Sequence, residues 1–117
     1  MNKLKEVVWV NSAKKDLNAF PEPVKDEIGY TLYRIQEGKL PQNVKRMIGL
    51  GSGVMEIRSD YDTNTYRAAY ILNLDEKIYM VHCFQKKSKR GIETPKEEID
   101  VIEQRIKYLK SVLNLKG

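Results

Sequence analysis

The feature that most constrains the fold is an alternating stretch of the chain that lies between two short polar turns. Residues 65–74 alternate, which predicts a β-strand with two different faces. The faces are Tyr66, Ala68, Tyr70 and Leu72 on one side and Arg67, Ala69 and Ile71 on the other. Strand-like stretches at 54–59 and 78–87 flank it across turns at 61–64 and 75–76, and a weaker one lies at 44–48. Such short connections predict an antiparallel meander.

Helical signals precede the meander. A short apolar strand at 7–10 leads into a helix expected over 13–20, with Asn11 or Ser12 as its N-cap. A second helix is expected to begin at Pro23 and to end at Gly38. The two together predict a helical hairpin.

A third helix closes the chain. Thr94 is the expected N-cap, Pro95 the first helical residue, and Glu97 completes a capping box. An apolar stripe follows at helical spacing: Ile99, Ile102, Ile106, Leu109 and Leu113. The stripe could enter a partner's groove, but packing on the protein's own sheet is favoured. We therefore expect one α+β domain over residues 1–117, a small antiparallel sheet with an N-terminal helical hairpin and a C-terminal helix.

Composition excludes several classes of function. The chain has 117 residues, is 32% charged and carries a net charge of +5, a balance that favours nucleic-acid partners. One His and one Cys cannot form a disulfide or a His/Cys metal site, so no cofactor is expected. The loop 49–53 is glycine-rich but lacks the rest of a phosphate-binding motif. We find no signal peptide or membrane span, which predicts a cytoplasmic protein.

Arginines on neighbouring predicted strands suggest an anion site. Arg58 and Arg67 are separated by one short turn, so their side chains should meet on one face. Two guanidinium groups that close repel each other unless an anion lies between them, and a phosphate suits their geometry. An equally good alternative is that each arginine pairs with an acid such as Glu56 or Asp60.

Other polar residues extend this candidate site. The basic run Lys86-Lys87-Ser88-Lys89-Arg90 could contact phosphates or simply be a solvated loop. Glu56 could act as a general base, although a role as an arginine partner is slightly favoured. Tyr66 could stack on an RNA base. His82, inside a predicted strand, is more typical of a satisfied core residue than of a catalytic one.

Four short motifs follow one another along the chain. They are Gly53-Val54-Met55-Glu56-Ile57-Arg58, Tyr66-Arg67-Ala68-Ala69-Tyr70, His82-Cys83-Phe84-Gln85-Lys86-Lys87 and Thr94-Pro95-Lys96-Glu97-Glu98-Ile99, with Arg105 further on. In this order they resemble the phage-derived, HigB-like branch of the RelE/HigB toxins of bacterial toxin–antitoxin systems. The resemblance covers nearly the whole chain.

The resemblance implies a metal-independent ribonuclease that cuts mRNA on the ribosome, by attack of the RNA 2′-OH on the adjacent phosphate. It implies catalytic roles for Arg58, Arg67 and Lys86 or Lys87, with Glu56 beside them. The basic run and the strand tyrosine add Lys89, Arg90 and Tyr66 as candidate RNA contacts. Glu56 departs from the lysine of classical RelE sequences, which leaves the general base open. The implied partners are mRNA, the ribosome and a small helix-turn-helix antitoxin. The alternative is a module of the same fold that binds RNA or the antitoxin without cutting.

Overall fold

The computed structural model describes residues 3–86 and 93–113. In this part of the chain five strands form a single sheet, and helices cover both of its faces. The elements are β1 (Val7–Trp9), α1 (Ala13–Asn18), α2 (Glu22–Gln36), β2 (Val44–Arg46), β3 (Val54–Tyr61), β4 (Asn64–Leu74), β5 (Lys77–Lys86) and α3 (Lys96–Val112).

The strand order is β1-β5-β4-β3-β2. Strands β2 to β5 are antiparallel neighbours, which confirms the predicted meander. Strand β1 differs, because it pairs in parallel with β5, with Val7 opposite Ile78 and Trp9 opposite Met80. A parallel pair needs a long crossover connection, and here nearly the whole domain supplies it. The expected α+β class, with helical hairpin and C-terminal helix, is confirmed.

Two tight turns fix the register of the meander. Asp62 and Thr63 join β3 to β4, and both have positive φ, as do Asp75 and Glu76 between β4 and β5. Two consecutive residues with positive φ are typical of the turns whose twist matches that of paired strands. Both turns were predicted, and they bring consecutive strands directly side by side.

The sheet divides the core into two layers, each covered by helices. On one face, α1 and α2 bury Leu17 and Ile28 against Ile57 and Tyr70 of the sheet. On the other face, α3 contributes part of a second cluster, whose members include Ala69, Ile71, Val81, Ile102, Ile106 and Leu109. The apolar stripe of the last helix therefore covers its own sheet, as favoured from its spacing.

Helix starts differ slightly from the sequence prediction. Helix α2 begins at Glu22, with Pro21 as its N-cap. Helix α3 begins at Lys96, and its N-cap is Pro95, with no side-chain capping bond. The capping box predicted for Thr94 is therefore wrong, because the first helical hydrogen bonds, from the N–H groups of Glu98 and Ile99, go to the carbonyl of Pro95 and the helix starts one residue later than expected. The Thr94 hydroxyl instead takes part in the site described below.

None of the helices in residues 3–86 and 93–113 combines the length and apolar character needed to cross a bilayer.

Gly53 lies too close to β4 to carry a side chain without strain, and this can be tested through stability. Gly53 has φ of +81°, and a Cβ there would lie 2.8 Å from the carbonyl oxygen of Leu72. We expect Gly53→Ala to lower the free energy of unfolding by about 1–3 kcal/mol through backbone strain. Gly29, inside α2, has open space around it. Gly29→Ala should raise the unfolding free energy by about 0.5–1 kcal/mol, since glycine is a poor helix former.

Urea unfolding followed by circular dichroism measures both variants on one scale. Equal effects of the two substitutions would contradict the proposed close approach at Gly53.

Candidate functional site

Three strands place charged side chains on the sheet face that α3 covers. In the ladder Arg58 of β3 lies directly opposite Arg67 of β4, and Thr65 lies opposite Lys86 of β5. Alternation along each strand puts Glu56, two residues before Arg58, on this same face. The structure therefore brings together Glu56, Arg58, Arg67 and Lys86, which we call the cation cluster.

One carboxylate joins the two arginines. Arg58 Nε lies 2.9 Å from Glu56 Oε1, and Arg67 Nη1 lies 3.5 Å from the same oxygen. Glu56 and Arg67 are each only 2% exposed, whereas the Arg58 side chain is 24% exposed. The anion expected between the guanidinium groups is thus the protein's own Glu56, and the pairing considered as the alternative is the one observed.

A threonine from the start of α3 completes the arrangement. The Thr94 hydroxyl accepts a hydrogen bond of 2.9 Å from Arg67 Nη1 and donates one of 3.0 Å to Glu56 Oε2. Both carboxylate oxygens of Glu56 therefore have partners, and the guanidinium of Arg67 is held in place. From the sequence Thr94 was expected only to cap α3, and no local signal links its hydroxyl to Arg67 and Glu56, which lie 27 and 38 residues away in the chain.

Burial of the cations affects their acidity. The pKa of Lys86 is lowered, chiefly by loss of hydration and next by the positive charges of Arg67 and Arg58, while Glu56 opposes the shift. The pKa of Arg67 is lowered in the same direction, again mainly by burial, with Glu56 acting against it. Positive charge is thus held in this cluster against its own repulsion, an environment that favours a further anion.

A cleft gives access to the cluster from solvent. It has a volume of about 310 Å³ and lies between the β2–β3 edge and the start of α3. We call it the β3–α3 cleft, and its lining residues are Arg46, Met47, Ile48, Glu56, Arg58, Glu93, Thr94 and Ile99. Of the cations in the cluster, Arg58 lines this cleft. A phosphate entering the cleft can therefore reach Arg58, and the exposed Arg46 of β2 adds a second positive charge to the lining.

His82 belongs to a second polar network on the same face. Its Nε2 lies 2.7 Å from Glu98 Oε1, and Arg105 Nη1 lies 3.4 Å from its Nδ1. Arg105 can only donate, so Nδ1 accepts and Nε2 donates to Glu98. The same Arg105 nitrogen donates to the carbonyl of Val81, at a register shift in the β4–β5 ladder. His82 is a satisfied, buried residue that ties α3 to the sheet, as its position in a strand suggested.

Tyr66 lies on the opposite face from the cluster. It is buried in the layer formed with α1 and α2, where its ring meets Phe20 edge to face at a centroid distance of 4.8 Å. The structure thus does not bring Tyr66 together with the arginines. Cys83 is buried on that side too, and burial raises the pKa of its thiol to about 12. The remaining predicted contacts, Lys87, Lys89 and Arg90, lie outside the described residues.

Within residues 3–86 and 93–113, no group of three or more His, Cys, Asp or Glu side chains is arranged to hold a metal ion. The cation cluster is the candidate site that the described part of the chain presents.

Comparison with known proteins identifies the family. The family model described as "Phage derived protein Gp49-like (DUF891)" matches residues 15–107. The chain belongs to this family. The match spans β2 to β5 and most of α3, so it includes every member of the cation cluster. No curated protein matches this Gp49-like chain by sequence at a significant level.

Solved structures share the fold of the Gp49-like protein. The toxin RelE from E. coli, in a double arginine-to-alanine mutant in the free state, superposes with a TM-score of 0.60 at 13% identity, over 91% of this chain and 98% of RelE. The toxin–antitoxin complex RelBE2 from Mycobacterium tuberculosis gives a TM-score of 0.53 at 12% identity, over 75% of this chain and 98% of the matched chain. The architecture is therefore that of RelE.

The Glu56 carboxylate provides a direct test of how the Gp49-like cluster is held together. Glu56→Gln removes the only charge of opposite sign that bonds both Arg58 and Arg67 among the contacts described. Breaking a buried ion pair from one side costs about 3–5 kcal/mol, so we expect a loss of that order in unfolding free energy. Asp60→Asn, at an exposed position on the same face of β3, should cost less than about 1 kcal/mol.

Thermal unfolding in phosphate and in chloride at equal ionic strength refines this prediction. Phosphate should recover part of the Glu56→Gln loss, because it can bind Arg58 from the cleft and supply the negative charge that the glutamine lacks. A Glu56→Gln protein as stable as the wild type would show that the carboxylate does not hold the arginines together.

Proposed function

We propose that this Gp49-like protein is the toxin of a type II toxin–antitoxin system, and that it is a metal-independent endoribonuclease which cuts mRNA on the ribosome. The observation that carries the proposal is the cation cluster, in which three buried or half-buried cations share one sheet face with a single bridging carboxylate. The four motifs shared with the HigB-like branch of RelE/HigB toxins, and the RelE fold, support the same conclusion.

The proposed reaction is attack of the RNA 2′-OH on the adjacent phosphorus. Negative charge grows on the phosphate oxygens as the new bond forms, and fixed cations in a water-poor site stabilise that charge strongly. Arg58, which lines the cleft, would bind the phosphate. The buried Arg67 would stabilise the charge of the pentavalent state from the protein side. The lowered pKa of Lys86 suits a general acid that protonates the departing 5′-oxygen.

Substrate binding also offers a role for Glu56. A phosphate that binds Arg58 competes with Glu56 Oε1 for the same guanidinium group. The carboxylate oxygen then keeps only its longer contact with Arg67 and can take the proton of the 2′-OH, while Thr94 still holds the other oxygen. Glu56 would thus be an arginine partner in the free protein and a general base in the complex.

The proposed partners follow from this function. They are mRNA, the ribosome and a small helix-turn-helix antitoxin, all encountered in the cytoplasm. One structural relative is itself a toxin–antitoxin complex, which supports the antitoxin partner.

A second candidate function has its own supporting observation. Both oxygens of Glu56 are hydrogen-bonded and Arg67 is 2% exposed, an arrangement that also suits a purely structural cluster. On this reading the protein binds RNA or the antitoxin but does not cut. The cleavage tests below separate the two functions.

Growth of cells tests the role of Arg58. We expect expression of the protein to arrest growth, and co-expression of a helix-turn-helix protein encoded beside it to restore growth. Arg58→Ala should relieve the arrest, because loss of one preorganised donor lowers such rates about 10²–10³-fold. Arg34→Ala, in α2 on the other side of the sheet, is the matched control and should remain toxic.

Substitution of Arg58 tests the catalytic role more cleanly than substitution of Arg67. Replacing an arginine in an exposed ion pair would cost at most about 1 kcal/mol of stability, but Arg67 is not in such a pair. Its 2% exposure and its bond to Thr94 instead predict that Arg67→Ala destabilises the protein.

In the growth test, normal growth with folded, soluble wild-type protein would favour the second candidate function.

The chemistry of cleavage makes a separate prediction. Single-turnover assays on pre-formed ribosome complexes, or on free RNA if it is cut, should show no cleavage when the target nucleotide is 2′-deoxy or 2′-O-methyl. Cleavage of free RNA should persist in EDTA, because the proposed charges come from Arg58, Arg67 and Lys86. Cutting of the 2′-deoxy substrate at the normal rate would mean that another nucleophile is used.

A further inference from the structure

The β3–α3 cleft combines two surfaces of different chemistry. Its polar floor consists of Glu56 and Arg58 of the cation cluster, with Thr94, Glu93 and the exposed Arg46 around them. Its walls carry Met47, Ile48 and Ile99, which are apolar. A polar floor and apolar walls suit a ligand that has a charged end and a flat, weakly polar body.

The apolar wall includes an unusual surface residue. Ile48 is 91% exposed, more than any other large hydrophobic residue among those described as exposed. It lies in the segment just after β2, beside buried Met47. Folding gains almost nothing from Ile48, since its side chain stays in water. A ligand lying in the cleft would give this side chain an apolar surface to cover.

The size of the cleft limits what can enter. Ligand pockets usually measure about 300–1,000 Å³, and at about 310 Å³ this cleft is at the lower end of that range. It therefore suits one nucleotide rather than a folded RNA element. A nucleotide whose phosphate reaches Arg58 places its base a few ångströms away, among the apolar walls. Enzymes commonly hold unstacked bases between aromatic or apolar side chains.

A carboxylate at the cleft adds a preference among bases. Glu93 lines the cleft, is exposed, and lies close enough to Lys86 for its charge to oppose the lowering of that lysine's pKa. An ionised carboxylate only accepts hydrogen bonds, through two oxygens. Guanine presents two adjacent donors, N1–H and the N2 amino group, on its pairing edge. Uracil presents one donor between two carbonyl oxygens, which a carboxylate repels.

We propose that the β3–α3 cleft is a nucleobase subsite for guanine, in which Met47, Ile48 and Ile99 contact the base, Glu93 accepts from its pairing edge and Arg58 binds the attached phosphate. This inference rests on the proposed function in taking RNA as the substrate. It adds a binding site and a base preference that the cation cluster alone does not imply.

Binding of mononucleotides tests the subsite without any cleavage. The full-length protein is titrated with guanosine 3′-monophosphate, uridine 3′-monophosphate and inorganic phosphate, and amide signals are followed by two-dimensional NMR. Two charge-assisted hydrogen bonds in place of one should make the guanosine nucleotide bind at least about tenfold more tightly than the uridine nucleotide. The signals of Ile48 and Glu93 should shift with nucleotides and not with phosphate.

Matched variants assign the two parts of the subsite. Glu93→Gln should reduce the preference for guanosine over uridine to about twofold or less, because a neutral amide accepts through one oxygen and donates through its nitrogen. Glu97→Gln, exposed on the first turn of α3, should leave the preference unchanged. Ile48→Ala should weaken both nucleotides about threefold through lost apolar contact, whereas Leu40→Ala, which lines another cleft, should not.

The outcomes separate this inference from the proposed function. Equal affinity for the two nucleotides, or affinity no greater than that of phosphate, would overturn the subsite even if the protein cuts RNA. Selective guanosine binding that depends on Glu93 and Ile48 would support the subsite even if no RNA is cut, and the failure would then lie with the catalytic proposal.

Discussion

The Glu56 carboxylate, buried among cations, is the interaction on which the site depends. Like charges directly opposite each other in a sheet are destabilising, and the register places Arg58 opposite Arg67. Glu56 lies within bonding distance of both guanidinium groups, and Thr94 holds its second oxygen. The protein thus folds around an internal anion at the place where a substrate phosphate is proposed to bind. Glu56 therefore stabilises the free protein but competes with the substrate phosphate for the same arginine, so a gain in stability there lowers substrate affinity.

Much of this architecture could be predicted from local sequence signals. Alternation in β4 separated the Tyr66 side from the Arg67 side, and short polar segments marked both turns. These features depend on neighbouring residues alone, so the sequence carries them directly. The parallel pairing of β1 with β5 has no such signal, because it joins segments that are some seventy residues apart.

The positions of Thr94 and Tyr66 in the structure differ from the roles predicted for them from the sequence. Thr94 matched a capping motif, but the helix starts one residue later with Pro95 as its N-cap, and the Thr94 hydroxyl bonds Arg67 and Glu56 instead. Tyr66 was proposed to contact RNA, although the predicted alternation already placed it on the other face of the sheet from Arg67. In the structure its ring packs on Phe20. The proposed roles of Lys87, Lys89 and Arg90 stay predictions.

The order of the elements has a consequence for synthesis of the protein. The segment from Glu56 to Lys86 contains the whole cation cluster, and its two-residue turns create local contacts that form early. Helix α3, with 17 residues, comes later in the chain and covers the apolar sheet face beside the cluster. During synthesis the meander and its arginine pair therefore leave the ribosome before the helix that covers them. Until Thr94 and α3 follow, Glu56 lacks the hydroxyl that bonds its second oxygen, and one face of the sheet is open to water.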